Sequence, residues 1–480
     1  MKKLTKIVAT ISDLNCEPEF LTDLFEAGMN VVRLNTAHQS HEDTLKVINN
    51  VRKVSNKIAL LLDTKGPEIR TTKAKEDIFV KSGDKIRMKG GPDALSSKEM
   101  IYVSYCDFVN DVKDGSRILI DDGDIELEVL EHKDDTLICE VKNQGFIKGK
   151  KSVNIPSVHL SLPALTDKDI GYIHFAAEND LDFIAHSFVR NKEDVLAVQR
   201  ILDEHSSNIK IIAKIENQQG IDNIDEILDV AHGVMIARGD LAIEVPRERI
   251  PIIQKDIIRK SMARRKVSIT ATQMLHSMIE NPRPTRAEVT DVATAIYDGT
   301  DAVMLSGETA YGRYPCEAMR VMTSVCKEVE QNKGLYVEDV PIAVLASEVS
   351  GYLCRSAVRA ATQLKAQAIV ADTTSGRTIR NLAGYRGNRP IFAMAYSKRT
   401  MRELALSYGV HVNYIDKRNT PDEFIRHGIS RLIQKDYLNE DDLIVIIAGS
   451  FGRGVGASFI EVGKVNELIR RAIHSIENWE

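Results

Sequence analysis

The sequence predicts an α/β protein: a (β/α)8 TIM barrel with an inserted small all-β domain and a C-terminal α/β domain. Three observations carry the prediction. Short apolar runs alternate with amphipathic stretches through the first two thirds of the chain; one long interval interrupts them; and a fresh βα alternation begins near residue 341.

The apolar runs are KIVATI (6 to 11), NVVRLNTA (30 to 37), KIALLLDTKG (57 to 66), DFIAHSFV (182 to 189), IKIIAKIE (209 to 216), GVMIARGD (233 to 240), KVSITATQ (266 to 273) and DAVMLSGETA (301 to 310). Being apolar without strict alternation, they suit parallel strands covered on both faces. Helical patterns at 192 to 204, 248 to 264 and 285 to 298 separate them. Between the third and fourth runs, DKIRM, SRILI, DIELEVL and TLICEV alternate apolar and polar residues around Asp114-Gly115 and Asp122-Gly123, which are hairpin signals. The boundaries are therefore 1–67 and 159–340 for the barrel, 68–158 for the insert, and 341–480 for the last domain. That domain follows the break at Asp339-Val340-Pro341. It reads as a helix over 345 to 364, then AIVADT, PIFAMA, VHVNYI and LIVIIAG with helical spacers, closing on SFIEVGKV.

Composition excludes several classes. Hydrophobic residues make up 43% and charged residues 28%, and 64 Lys+Arg against 69 Asp+Glu leave a net charge of −5. That balance offers no basic tract for nucleic acid. No apolar run approaches the roughly 20 residues of a membrane span. The N-terminal run is broken by Lys6 and ended by Asp13, unlike a signal peptide. The six cysteines form no C-x-x-C pair, so free thiols in a reducing cytoplasm are expected.

Charges gather where the runs end, and in a barrel of this kind the chemistry sits at the C-terminal ends of the strands. In IIAKIENQQG, Lys214 and Glu216 are two apart and so share a face. The next run ends ARGD, with Asp240 placed at the strand end and LAIEVP starting a helix. Glu216 and Asp240 form a hard-cation pair of the kind that suits Mg²⁺. Arg33 and Lys214 add positive charge, and Gly239 lets backbone N–H groups approach an anion. Lys-x-Glu alone is usually a surface ion pair, and ARGD alone a turn. Together on ordered strands they read as a phosphoryl-transfer site, where positioning and charge neutralisation dominate.

IKIIAKIENQQGI, LLDTKGPEIR, KKSVNIP, MIARGDLAIEVP, TATQML and NPRPTRAEVTDVATAIYDGTDAVMLSGETA together resemble the pyruvate kinase family over essentially the whole chain. The resemblance implies transfer of the phosphoryl group of phosphoenolpyruvate to ADP. By position, Lys214 and Arg33 meet the phosphoryl group, Glu216 and Asp240 hold Mg²⁺ (or Mn²⁺), and Gly239, Asp240 and Thr272 receive the substrate carboxylate. Thr272 with Ser306 is implied as the proton relay to the enolate. ADP is implied beside Asn35, Thr36, His38, Arg70 and Lys151, between barrel and insert. Without the resemblance, Lys151 beside Lys150 reads as solvated surface.

One departure stands out. The family's K⁺-ligating serine is here Ala37, leaving Asn35, Asp63 and Thr64 for K⁺, while Glu68 matches the K⁺-requiring form; a weakened K⁺ site is expected. In the last domain, Thr373, Thr374, Ser375, Gly376, Arg377 and Thr378 offer an effector phosphate turn, for a sugar phosphate or a nucleotide, or equally a capped helix start. GSFGRGVG (449 to 456) is expected to border it as a flexible loop. The family implies a cytoplasmic homotetramer. Two alternatives stand beside this reading: a metal-dependent barrel aldolase working without nucleotide, and a catalytically silent, metabolite-sensing paralogue.

Overall fold

The computed structural model describes residues 2–156, 158–332, 349–417, 420–449 and 457–477. Eight parallel strands close a barrel: β1 (Lys6–Thr10), β2 (Val31–Asn35), β3 (Ala59–Asp63), β4 (Phe183–His186), β5 (Lys210–Ile215), β6 (Gly233–Ala237), β7 (Val267–Ala271) and β8 (Ala302–Leu305). They pair in chain order around the ring, and β8 returns to β1 with Lys6 opposite Ala302. All eight apolar runs become strands, each shorter than its run.

The two-sided covering explains why no alternation was visible. Val8, Leu61, Phe183, Ile212, Met235 and Ile269 fill the barrel interior, while Ile7, Leu60, Ile184, Ile211 and Ile236 face the surrounding helices. Those helices start where the sequence supplies caps. Ser40 with Asp43, Thr166 with Asp169 and Thr285 with Glu288 each form a reciprocal capping box.

The insert leaves the barrel after β3. Its six-stranded sheet and a separate antiparallel pair of strands, Ile78–Val80 and Gly145–Ile147, enclose a core of their own, including Met88, Ile101, Phe108, Leu127 and Val141. At the junction the Asp169 carboxylate accepts the N–H groups of Lys65 and Gly66 at 3.0 and 3.3 Å. Gly66 has φ +73°, and a Cβ there would meet Phe188 and the Ser187 Cβ within 3 Å, so only glycine fits. On the return side, Arg190 donates to the Leu162 carbonyl at 2.9 Å while clamped by Asp194.

The C-terminal domain is a sheet of β9 (Ala368–Thr373), β10 (Ile391–Ala395), β11 (Val410–Tyr414), β12 (Leu443–Gly449) and β13 (Ala457–Lys464), in the order β11-β10-β9-β12-β13. The last strand is antiparallel. The break at 339–341 and the start of the helix expected over 345 to 364 lie outside the described residues; the helix is described as Val349–Gln363. Buried ion pairs join this domain to the N-terminal ends of the barrel strands. Arg386 Nη2 lies 2.5 Å from Asp301 Oδ2, and Arg402 Nε lies 2.5 Å from Asp182 Oδ1. Asp301 also accepts the N–H groups of Ser268 and Tyr408, both at 3.0 Å, so its charge is fully answered. No described helix is long and apolar enough to cross a membrane. All six cysteines are unpaired, as expected.

Candidate active site

Lys214 lies at the centre of the barrel mouth. It continues the inward face of Ile212 on β5, and its Nζ sits 3.0 Å from Glu216 Oε1, as the spacing of two requires. The same Nζ is 3.1 Å from Asp63 Oδ1 and donates to Ser187 Oγ at 2.7 Å. Arg33, from β2, places Nε 2.5 Å from the other oxygen of Asp63, and its Nη1 donates to Thr10 Oγ at 3.0 Å. One carboxylate therefore holds both cations, an oxygen to each.

The electrostatics follow from this packing. Burial works against the Lys214 ammonium, but Asp63 and then Glu216 more than offset it and hold its pKa above the ordinary lysine value. Burial also opposes the charge on Asp63, and Arg33 and Lys214 reverse the balance, so that carboxyl lies below its usual range. Glu216 and Asp240 go the other way. Burial raises both and Lys214 only partly offsets this; the Asp240 charge raises Glu216 further, whereas the hydrogen bond from Glu216 lowers Asp240. The Asp240 carboxylate shares a hydrogen bond with Glu216, so the two acids converge. Two hard carboxylates that resist being charged side by side form a donor set that fits a divalent cation. No cluster of three or more His, Cys, Asp or Glu suited to a metal occurs among the described residues, so other ligands must complete such a shell.

Asp240 corrects the sequence reading. β6 ends at Ala237, and the helix Arg238–Glu244 has already begun, so Asp240 stands in the first turn of a helix and not at a strand end. The Gly239 N–H donates to Thr272 Oγ1 at 2.8 Å, which brings the expected carboxylate-binding groups together around a bond already made.

Thr272 itself has φ +69°, followed by Gln273 at +55°, a region disfavoured for a β-branched residue. Arg238, which sequence reasoning passed over, enforces it. Its guanidinium donates to the Thr272 carbonyl at 2.8 Å and the Ala271 carbonyl at 3.2 Å, while Asp291 grips it with both oxygens at 2.6 and 2.7 Å. Phe188 at φ +55° is a second strained residue of the mouth, its N–H donating to Glu216 Oε2 at 2.7 Å. Ser187 was also missed: it joins Lys214 to the Thr64 carbonyl, to which it donates at 2.6 Å. Both lay inside motifs already singled out, ARGD and DFIAHSFV, but no local pattern marks them. Ser306 follows β8, with its N–H donating to Glu308 Oε2 at 2.7 Å.

The residues expected around ADP are only partly presented. His38 is exposed and Asn35 half-buried, but Thr36 is buried, its hydroxyl and N–H both donating to the Asp63 carbonyl. Arg70 is paired with Glu68 at 2.9 Å and donates to the Lys150 carbonyl. Lys151 is paired with Asp121 at 2.9 Å within the insert. Of the oxygens expected around K⁺, Asn35 Oδ1 accepts the Ala37 N–H at 3.2 Å and the Thr64 hydroxyl accepts the Ser187 N–H at 3.1 Å.

In the C-terminal domain, Gly376 (φ +78°) starts the helix Arg377–Gly384, and its N–H donates to Thr373 Oγ1 at 2.8 Å. Thr373 and Thr378 are buried, whereas Thr374, Ser375 and Arg377 face solvent. Residues 450–456 of GSFGRGVG lie outside the described residues.

Family models match two segments of the chain: "Pyruvate kinase, barrel domain" over residues 2–319 and "Pyruvate kinase, alpha/beta domain" over 352–462. A pyruvate kinase of Borreliella burgdorferi is 49% identical over 476 residues, covering 98% of this chain and 99% of that protein. One from Staphylococcus epidermidis is 45% identical over 93% of this chain and 77% of its own length, and one from Bacillus licheniformis 41% over 97% and 81%. The chain belongs to the pyruvate kinase family.

Proposed function

We propose that this member of the pyruvate kinase family transfers the phosphoryl group of phosphoenolpyruvate to ADP, yielding pyruvate and ATP in glycolysis. The observation that carries the reading is the convergence of Lys214, Arg33, Asp63, Glu216 and Asp240 in one buried mouth. Asp63 orients Arg33 and Lys214, whose charges face the transferring group and need no reorganisation during transfer. Glu216 and Asp240 are the residues that would hold Mg²⁺ or Mn²⁺; when bound, the ion supplies charge neutralisation to phosphoryl and enolate oxygens. The substrate carboxylate replaces Thr272 Oγ1 as acceptor of the Gly239 N–H, freeing the Thr272 hydroxyl to work with Ser306 in protonating the enolate. ADP binds between barrel and insert, with Arg70 and Lys151 released from Glu68 and Asp121 toward its phosphates and with Asn35, Thr36 and His38 beside it. Closure of the insert excludes water.

A coupled assay with phosphoenolpyruvate, ADP and Mg²⁺ tests this. Pyruvate formation that does not depend on ADP returns the case to a nucleotide-free aldolase-type barrel, and none at all to the silent paralogue, which neither the site nor the relatives favour.

Asn35, Asp63 and Thr64 also form the K⁺ set, with Ala37 supplying no oxygen and Asp63 committed to two cations. The expected outcome is K⁺ stimulation that saturates only at high concentration and tightens in Ala37→Ser. Equal rates in K⁺, Na⁺ and no monovalent salt count against it. Cytoplasmic location, a homotetramer, and a sugar phosphate or nucleotide at Thr373, Thr374, Ser375, Gly376, Arg377 and Thr378 complete the reading.

A further inference from the structure

At the opposite end of the barrel, the N-terminal ends of β1, β2 and β3 face the edge strand β11 of the C-terminal sheet across a cavity of about 390 Å³. Lys2, Lys3, Lys6, Lys57 and Lys327 line it, together with Asn30, His411, Asn413 and Tyr437. Lys6 Nζ donates to the Val410 carbonyl at 2.5 Å, covering the sheet edge, and Lys3 Nζ donates to Asn30 Oδ1 at 2.8 Å. Lys57 and Lys435 both donate to one amide oxygen, Asn413 Oδ1, at 3.2 and 2.8 Å.

Two features make this more than a basic surface. Among the described residues, Lys2, Lys3, Lys6, Lys57 and Lys435 have no carboxylate within the 4.0 Å of an ion pair. Glu330, whose oxygens accept the N–H groups of Leu4 and Thr5, and Asp301 act on Lys6 only from beyond that distance, and Glu26 lines the rim. Second, the Asn413 side chain is 1% exposed and its Nδ2 has no acceptor; His411 Nε2 is equally unpartnered. Buried donors are ordinarily satisfied, and converging ammonium groups ordinarily meet an anion. Burial and then Lys3 lower Lys6 to about 7 against a partial offset from Glu330 and Asp301, while burial and then Lys435, Arg431 and Lys2 lower Lys57 to about 8 with no acid among its causes.

We infer that this cleft is a second anion site, taking a small phosphate ester of two or more negative charges and tying the barrel to the C-terminal domain. The phosphate oxygens meet Lys57, Lys435 and Asn413 Nδ2, and Tyr437, with Lys2 Nζ 3.7 Å from its ring centre, walls the body of the ligand. It is separate from the turn at 373–378: that turn follows the central strand β9, whereas the cleft borders β11 at the edge.

The test titrates tripolyphosphate, as a generic polyanion in metal-free buffer, into the full-length protein by calorimetry, with Lys57→Gln/Lys435→Gln and Arg377→Ala compared. One site is expected to weaken at least tenfold in the double variant and to persist in Arg377→Ala. Without anion, the double variant is expected to melt higher than the wild type, because repulsion is relieved. Unchanged titration of the double variant overturns the inference, as does a melting temperature below wild type, which means the lysines are already compensated. Loss in Arg377→Ala alone moves the anion to the 373–378 turn and overturns it too.

Discussion

The two ends of the barrel use the same side-chain chemistry in opposite ways. At the C-terminal mouth every central cation is matched: Arg33 and Lys214 divide one carboxylate, and Glu216 supplies a further oxygen. At the N-terminal end, Lys57 and Lys435 share a neutral amide oxygen. The mouth also stores backbone strain at Phe188, Thr272 and Gln273, whereas the far end is sealed by the satisfied pairs Arg386–Asp301 and Arg402–Asp182. A matched, strained site is organised before its substrate arrives. An unmatched one waits for a ligand to supply the missing charge.

The sharpest break in that contrast is Lys214→Met, which strips the mouth of its central cation. Turnover is expected to fall by about 10³-fold or more, as for removal of a preorganised charge stabiliser, with the fold intact by circular dichroism. Rates equal to wild type would remove Lys214 from the chemistry. Arg386→Leu attacks the other end by leaving Asp301 buried without its partner. The expected loss is about 3 kcal/mol of stability, read by denaturant titration, with kcat per folded molecule unchanged; a variant as stable as wild type shows the seal to be dispensable.

Arg238→Lys probes the strain itself. Lysine cannot donate to Ala271 and Thr272 while held by both oxygens of Asp291. A drop of about tenfold in kcat is expected on the scale of a misplaced general acid–base group, with KM for ADP steady. A loss confined to KM for ADP argues against a role through Thr272.

The smallest effect concerns pH. Burial, then Lys435, Arg431 and Lys2, hold Lys57 at about 8 in the folded protein against the ordinary 10.5. Below pH 8 the ammonium is charged in both states and the full penalty is present. Between 8 and 10.5 the unfolded chain binds the extra proton, so stability rises with pH. The wild type should therefore gain on Lys57→Gln in melting temperature between about pH 7.5 and about pH 9.5. A constant gap dissociates Lys57 from the unmatched cluster.

Much of this was legible beforehand, and the reasons are local. Eight apolar runs became eight strands, and the Lys214–Glu216 spacing became a 3.0 Å contact, because strand parity is a property of neighbouring residues. Asp240 was displaced into a helix because the boundary between the strand and the helix is decided by which N–H groups find partners, and Thr272, distant in sequence, supplies one. Thr36 and Lys151, expected beside ADP, are engaged by the Asp63 carbonyl and the Asp121 carboxylate, partners distant in sequence.

The sequence by itself determined the periodicity, the caps, the polar ends of the strands and the family to which they belong, since each depends on residue type and short-range spacing. Only the tertiary structure decided that Asp63 serves two cations from different strands, that Arg238 holds Thr272 in a strained turn, and that lysines from the start, middle and end of the chain crowd one cavity. Coulomb energy and hydrogen bonding depend on distance in space, and no pattern along the chain records which distant groups the closed barrel and the docked domain bring within about 3 Å of each other.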